Sequence, residues 1–254
     1  MKYYSTALFL LLSLFCKLSA QNDKMAMVEG GVYLPLYGAE GKTVKVEPFL
    51  MDVHPVTNAD YLKFVQENPK WKKSNVKSLF ADKSYLSKWT DDTTFTGLKD
   101  APVNNVSWFA AKNYCECQGK RLPTMDEWEY AAMANENVPD ARKIKAYNQY
   151  ILNWYETPKT FNQPVGSTFK NYYGIYDLHG LVWEWTQDFN TVLISGESRK
   201  DVDKDANLFC GSAAIGASDL MNYAAFMRYA FRGSMKARYS SQNLGFRCAK
   251  DIEN

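Results

Sequence analysis

Four cysteines follow residue 20, namely Cys115, Cys117, Cys210 and Cys248, and no other feature limits so sharply what the chain can fold into. Their meaning depends on the compartment. Met1-Lys2 is followed by the apolar stretch ALFLLLSLFC and then by KLSA, which reads as a signal peptide over residues 1–20 with cleavage before Gln21. The apolar run is about half the ~20 residues that a membrane-spanning helix needs, so removal is expected rather than anchoring. A lipid anchor on Cys16 is disfavoured because bulky Phe15 precedes it, where a small residue is wanted. The mature chain is therefore expected to be periplasmic or secreted. An even number of cysteines there points to disulfides first and metal second, with three full pairings open.

A chain of 254 residues suits one large domain or two small ones. Aromatic residues make up 15% of it, which favours an irregular core held by rings over long periodic helices. The net charge of +2 gives no electrostatic reason to expect nucleic acid or an acidic membrane as partner. After the leader no segment approaches membrane-spanning length, so no membrane span is expected.

MVEGGVYLPL (27–36) alternates as a strand, with a bend or bulge at Gly30-Gly31, and residues 42–56 read as two short strand pieces. Thr57 caps an amphipathic helix that carries Tyr61, Leu62, Phe64 and Val65 on one side. Residues 67–101 read as a long ordered loop with Trp71 and Trp89. Ser107 starts a second helix that stops at Gly119, and Thr124 with Glu127 forms a capping-box pattern for a third. From about Asn135 onward short strands and turns are expected, with no long helix. Neither repeat nor linker interrupts residues 27–251, which read as one domain.

The stretches PVNNVSWFAAKNYCECQGKRLPTMDEWEYAA (102–132), YGIYDLHGLVWEWTQDF (173–189) and NLGFRCAKD (243–251) resemble the formylglycine-generating enzyme, or sulfatase-modifying factor, domain family. MDVHPVTNADYLKFV is similar to that family's early strand-helix unit. The resemblance implies an α+β class and a C-type-lectin-like fold of the sulfatase-modifying factor type, with little regular secondary structure.

The family's enzymes oxidise a client cysteine to formylglycine, using copper held by two cysteines five residues apart after a Gly-Gly-Ser block. Two thiolates are soft ligands suited to Cu(I). Here Cys210-Gly211-Ser212 stands at that block. One register puts Ile215 and Leu220 at the ligand positions, the other Asp219 and Ala224, and no cysteine lies between Cys210 and Cys248. Formylglycine-generating activity is therefore not expected, nor is copper.

The resemblance further implies a disulfide between Cys115 and Cys248, worth ~4 kcal/mol by loop-closure entropy. The family's second disulfide falls on Ala132 and Tyr229 and is absent. Cys117 and Cys210 have no family counterpart, and a private disulfide, two thiols or a metal site all stay open. Asp177, Gly180, Val182 and Glu184 match a family calcium site, with two carboxylates and two backbone carbonyls as donors. The alternative for Glu184 is a hydrogen-bonding role in the core. A second family calcium site beginning at Asn153 lacks its acidic loop and is not expected. His54 and His179 lie in different blocks, so neither is expected to join an iron site, and Met221, Met227 and Met235 are expected to fill core. Lys120, Arg121 and Trp183 match framework positions and are assigned no chemistry.

The expected function is that of a binding or maturation accessory for an exported client protein or peptide. The wording of DLHGLVWEWTQDF and NYAAFMRYAFR is similar to the family branch found beside copper nitrite reductases, which implies a copper enzyme as neighbour. The rival readings are a metal-dependent oxidase using Met, His or the Cys117/Cys210 pair, and a lectin-like module that binds glycan or peptide.

Overall fold

The computed structural model describes residues 25–36, 41–190 and 220–252. The leader, Cys16, Cys210, Gly211, Ser212, Ile215 and Asp219 lie outside the described residues.

Gly30 and Gly31 split the first expected strand into β1 (Met25–Val28) and β2 (Gly31–Tyr33). Gly30 has φ +72°, and a Cβ there would sit 2.3 Å from the carbonyl oxygen of Val46, so a side chain is excluded. The two expected strand pieces that follow are β3 (Val44–Val46) and β4 (Phe49–Asp52). β2 pairs with β3, while β4 lies between β1 and β7 (Ala249–Asp251), antiparallel to both. β5 (Trp183–Glu184) and β6 (Leu244–Gly245) form a short parallel pair.

The first three helices start where their caps say. Thr57 Oγ1 accepts from the Asp60 amide at the head of α1 (Asn58–Glu67), and Ser107 Oγ does the same for Ala110 at the head of α2 (Trp108–Cys117). Both halves of the capping box on Thr124 and Glu127 are present at α3 (Met125–Ala132). Tyr61, Phe64 and Val65 of α1 are buried, as their spacing requires, while Leu62 is only partly so.

Two helices contradict the expectation of none after Asn135. α4 (Lys145–Glu156) follows Ile144, which makes no side-chain cap. α5 (Leu220–Ser234) packs against α4. Its inward face carries Ala224, Arg228 and Arg232, all buried. The two arginines share the buried side with Ala225, Phe226 and Tyr229, so apolar residues announce it only in part.

The long loop is part of the core. Trp71 and Trp89 are buried, and Tyr85 Oη donates to the Trp71 carbonyl at 2.9 Å and lies 2.7 Å from Tyr61 Oη. Around them Tyr61, Tyr114 and Phe246 pack ring on ring, with centroids 5.2 to 6.2 Å apart. Beneath these rings a disulfide joins Cys115 of α2 to Cys248, just before β7, with Cα atoms 5.6 Å apart. Cys117 is disulfide-bonded as well. No helix among the described residues is long and apolar enough to cross a membrane.

Candidate functional site

A cavity of ≈ 600 Å³ opens between the C-terminal end of α4, the turn at 157–161, the segment 178–184, the last turns of α5 and residues 241–243. One wall is a tier of rings. Tyr155 and Trp183 have centroids 4.8 Å apart, and Trp183 stacks on Phe231 at 5.0 Å. Gly180 keeps the wall close, since a Cβ there would meet Thr168 Cγ2 at 2.6 Å and the Trp154 ring at 3.4 Å. Ser241, Gln242, Asn243, Thr157 and Thr160 bring polar groups to the rim.

The VWEW stretch gives neighbouring residues different duties. Trp183 faces the cavity, Glu184 enters an ion pair, and Trp185 lies in the core with its Nε1 donating to the Val106 carbonyl at 2.9 Å. Lys120 and Arg121 are structural, as assigned: Lys120 pairs with Asp52, and Arg121 with Glu127 and Asp251.

Deeper still lies a buried charge network. Glu129 of α3 accepts from Nε and Nη2 of Arg228 and, at 2.6 Å, from Nη1 of Arg232. Burial opposes the charge on Glu129, but the two guanidiniums outweigh it and bring the carboxyl down to about 2. Both guanidiniums also lie over the face of Trp128, that of Arg232 at 4.8 Å from the ring centroid. Arg228 continues the network to Tyr155 Oη at 3.2 Å, and Tyr155 Oη lies 3.4 Å from Nδ1 of His179. Nε2 of His179 sits 2.7 Å from the Ala132 carbonyl, which assigns the ring proton to Nε2. Burial, and then the charge of Arg228, bring this imidazole down to about 3, so it is neutral at pH 7.

Both carboxylates of the expected calcium set already have protein partners. Glu184 is held by Nε and Nη2 of Arg247 at 2.8 to 3.0 Å and by Trp128 Nε1 at 2.8 Å. Asp177, at φ 62°, accepts from the amides of Gly166 and Thr168 and lies 3.7 Å from His54 Nδ1. Burial works against the Asp177 charge, but His54 and the two amides still leave its carboxyl below the usual range. Gly180 and Val182 line the cavity beside Glu184. Glu184 is thus already paired with a guanidinium that also acts on Asp177, and a calcium ion would have to displace it. These residues do not fit a calcium ion, and Glu184 takes the core hydrogen-bonding role. Among the described residues no three His, Cys, Asp or Glu side chains are grouped to hold a metal. His54 stacks on Tyr176, away from the network of His179. Met227 and Met235 are half-buried. Ala132 and Tyr229, the positions of the missing second disulfide, line one small void together.

Sequence reading missed Glu129, Tyr155, Arg228 and Arg232. Arg228 and Arg232 lie four apart, and that spacing was their only available sign.

A mixed α+β fold with little regular structure, a GFRC end that supplies both the disulfide and the Glu184 partner, and a VWEW strand beside a cavity define a sulfatase-modifying-factor domain. Residues 14–252 match the Sulfatase-modifying factor enzyme 1-like domain, and the chain belongs to that family. It is 31% identical over 264 aligned positions to the formylglycine-generating enzyme of Bos taurus, covering 84% of this chain and 68% of that one. To the inactive C-alpha-formylglycine-generating enzyme 2 of Bos taurus it is 30% identical over 249 positions, covering 82% and 79%. The fold is similar to that of PvdO from Pseudomonas aeruginosa, with a TM-score of 0.50 at 18% identity over 90% of this chain and 94% of that one.

Proposed function

We propose that this chain is an exported member of its family that binds a client polypeptide in the ≈ 600 Å³ cavity and does not generate formylglycine. The state of its cysteines carries the reading. Copper in this family needs two thiolates, and the chain has no cysteine between Cys210 and Cys248. Cys115, Cys117 and Cys248 are all tied up in disulfides, so no described cysteine offers a thiolate. That bond also removes Cys117 from any oxidase chemistry with Cys210. A relative named as inactive, 30% identical to this chain, supports a use for the domain without the oxidation.

The cavity suits an extended peptide: a ring wall for one side chain, with hydroxyls and amides at the rim for main-chain groups. The leader and the disulfides support an extracytoplasmic client. The resemblance of DLHGLVWEWTQDF and NYAAFMRYAFR to the branch beside copper nitrite reductases supports a copper enzyme as that client.

The test is incubation of the purified protein with a sulfatase-type cysteine peptide, Cu(I) and oxygen, followed by mass spectrometry. Unchanged cysteine is expected, and an aldehyde product formed by this protein alone would overturn the reading.

A further inference from the structure

The cavity has a donor edge that the client reading does not use. Behind its lining one buried carboxylate, Glu129, serves two buried guanidiniums, Arg228 and Arg232, of which Arg232 lines the space. Glu184, the carboxylate in the cavity lining, is neutralised by Arg247. Asp126 and Asp188 lie nearby but outside the cavity lining, their Oδ1 atoms taken by Tyr33 Oη and the Met125 amide. Lys159 adds a further cation at the rim.

Arg232 is the residue through which this cluster reaches the cavity, with Asp188 acting on it electrostatically from outside the lining. Its side chain is only 6% exposed and lies flat over Trp128, yet it lines the space. Among the described residues only its Nη1 has a hydrogen-bond partner, which leaves Nε and Nη2 without one. An arginine buried with an unused edge is poised for bidentate capture of a planar anion. The rings of Tyr155, Trp183 and Phe231 stand beside it.

We infer that the cavity selects an acidic segment of its client, taking a side-chain carboxylate onto Arg232 and the neighbouring apolar or aromatic residue onto the Trp183 tier. The inference rests on the reading of the cavity as a client-polypeptide site. A carboxylate meets the unused Nε and Nη2 of Arg232, and the low dielectric there makes that pairing stronger than a surface one. A glutamine in its place offers one carbonyl oxygen and no charge, and a lysine is repelled.

The experiment is fluorescence anisotropy of the full chain with three labelled peptides, Gly-Ser-Trp-Xaa-Ser-Gly, in which Xaa is Glu, Gln or Lys. The Glu peptide is expected to bind about tenfold tighter than the Gln peptide, the return of one charge-assisted contact. Arg232→Gln should erase that preference while Glu129 keeps Arg228, with the variant's fold checked by circular dichroism. If that variant does not fold, free acetate replaces it as the probe and must compete with the Glu peptide but not with the Gln peptide. Equal binding of all three peptides, lost in Trp183→Ala, overturns the carboxylate preference and leaves the client cavity standing. Binding of none of them overturns both, and acetate that fails to discriminate overturns the inference alone.

Discussion

Arg247 closes on Glu184 through two guanidinium nitrogens at 2.8 to 3.0 Å, and neither side chain has any exposed surface. The arginine also donates to the carbonyls of Asp52 and Tyr176, so one side chain ties β5 to β4 and to the 173–178 turn. A charge so placed cannot lose its partner cheaply.

Glu184→Gln should destabilise the fold by ~3–5 kcal/mol, because it strands a buried guanidinium. Calcium chelation should leave the wild-type melting temperature unchanged, since that guanidinium already balances the carboxylate. A drop in melting temperature with EGTA, restored by calcium, would show that a metal does share Glu184.

Reduction of the Cys115–Cys248 bond, or Cys115→Ser, should cost ~4 kcal/mol, because a closed loop spanning a separation of 133 residues is released in the unfolded chain. Non-reducing peptide mapping should recover Cys115 with Cys248. With the leader removed, Cys210 is the remaining partner for Cys117, and the same map should show that pair. Either cysteine found as a thiol refutes the corresponding bond.

Acid should weaken the fold in two stages. His179 has its folded value lowered from 6.5 to about 3, so below pH 6.5 the unfolded chain takes up a proton that the folded chain refuses. Stability should fall by about 1.4 kcal/mol per pH unit between those limits from this group alone. Glu129, lowered from 4.5 to about 2, contributes stability that is present above 4.5 and is lost as the pH falls through its folded value. Urea unfolding across pH 7 to 4 should be steeper in the wild type than in His179→Gln. Parallel curves would mean that the imidazole is not held neutral.

Trp89→Ala should cost ~3–5 kcal/mol, as expected for a large ring removed from a packed interior. Trp89 is only 2% exposed although it sits in a segment without regular structure. A loss under ~1 kcal/mol by denaturant titration, the scale of an ordinary surface change, would show that the loop is not part of the core.

What could be read beforehand was local. Thr57, Ser107 and Thr124 announced three helices because a cap is a contact between residues three apart. The Cys115–Cys248 pairing and the GFRC and VWEW blocks came from family resemblance, and no spacing rule would have joined them. α5 escaped because its inward stripe bears arginines whose partner, Glu129, lies about a hundred residues earlier in the chain. The partners of the expected calcium ligands were hidden for a similar reason. Asp177 and Glu184 are near each other in sequence, but Arg247 and the Gly166 and Thr168 amides come from elsewhere and claim them first. The cavity, built from five separate segments, has no signature in any one of them.

The central sheet has a mechanical side. β1 and β7 flank β4, with Met25 opposite Asp52 and Asp251 opposite Phe49. The first and last strands therefore run parallel to each other, and their outer ends point in opposite directions along β4. Tension applied between residues 25 and 251 would slide the three strands past one another and load their hydrogen bonds together instead of unzipping them in turn. Such an arrangement resists stretching far better than its few short strands suggest. Tethered at both ends, the domain would bear a pull with its cavity undisturbed.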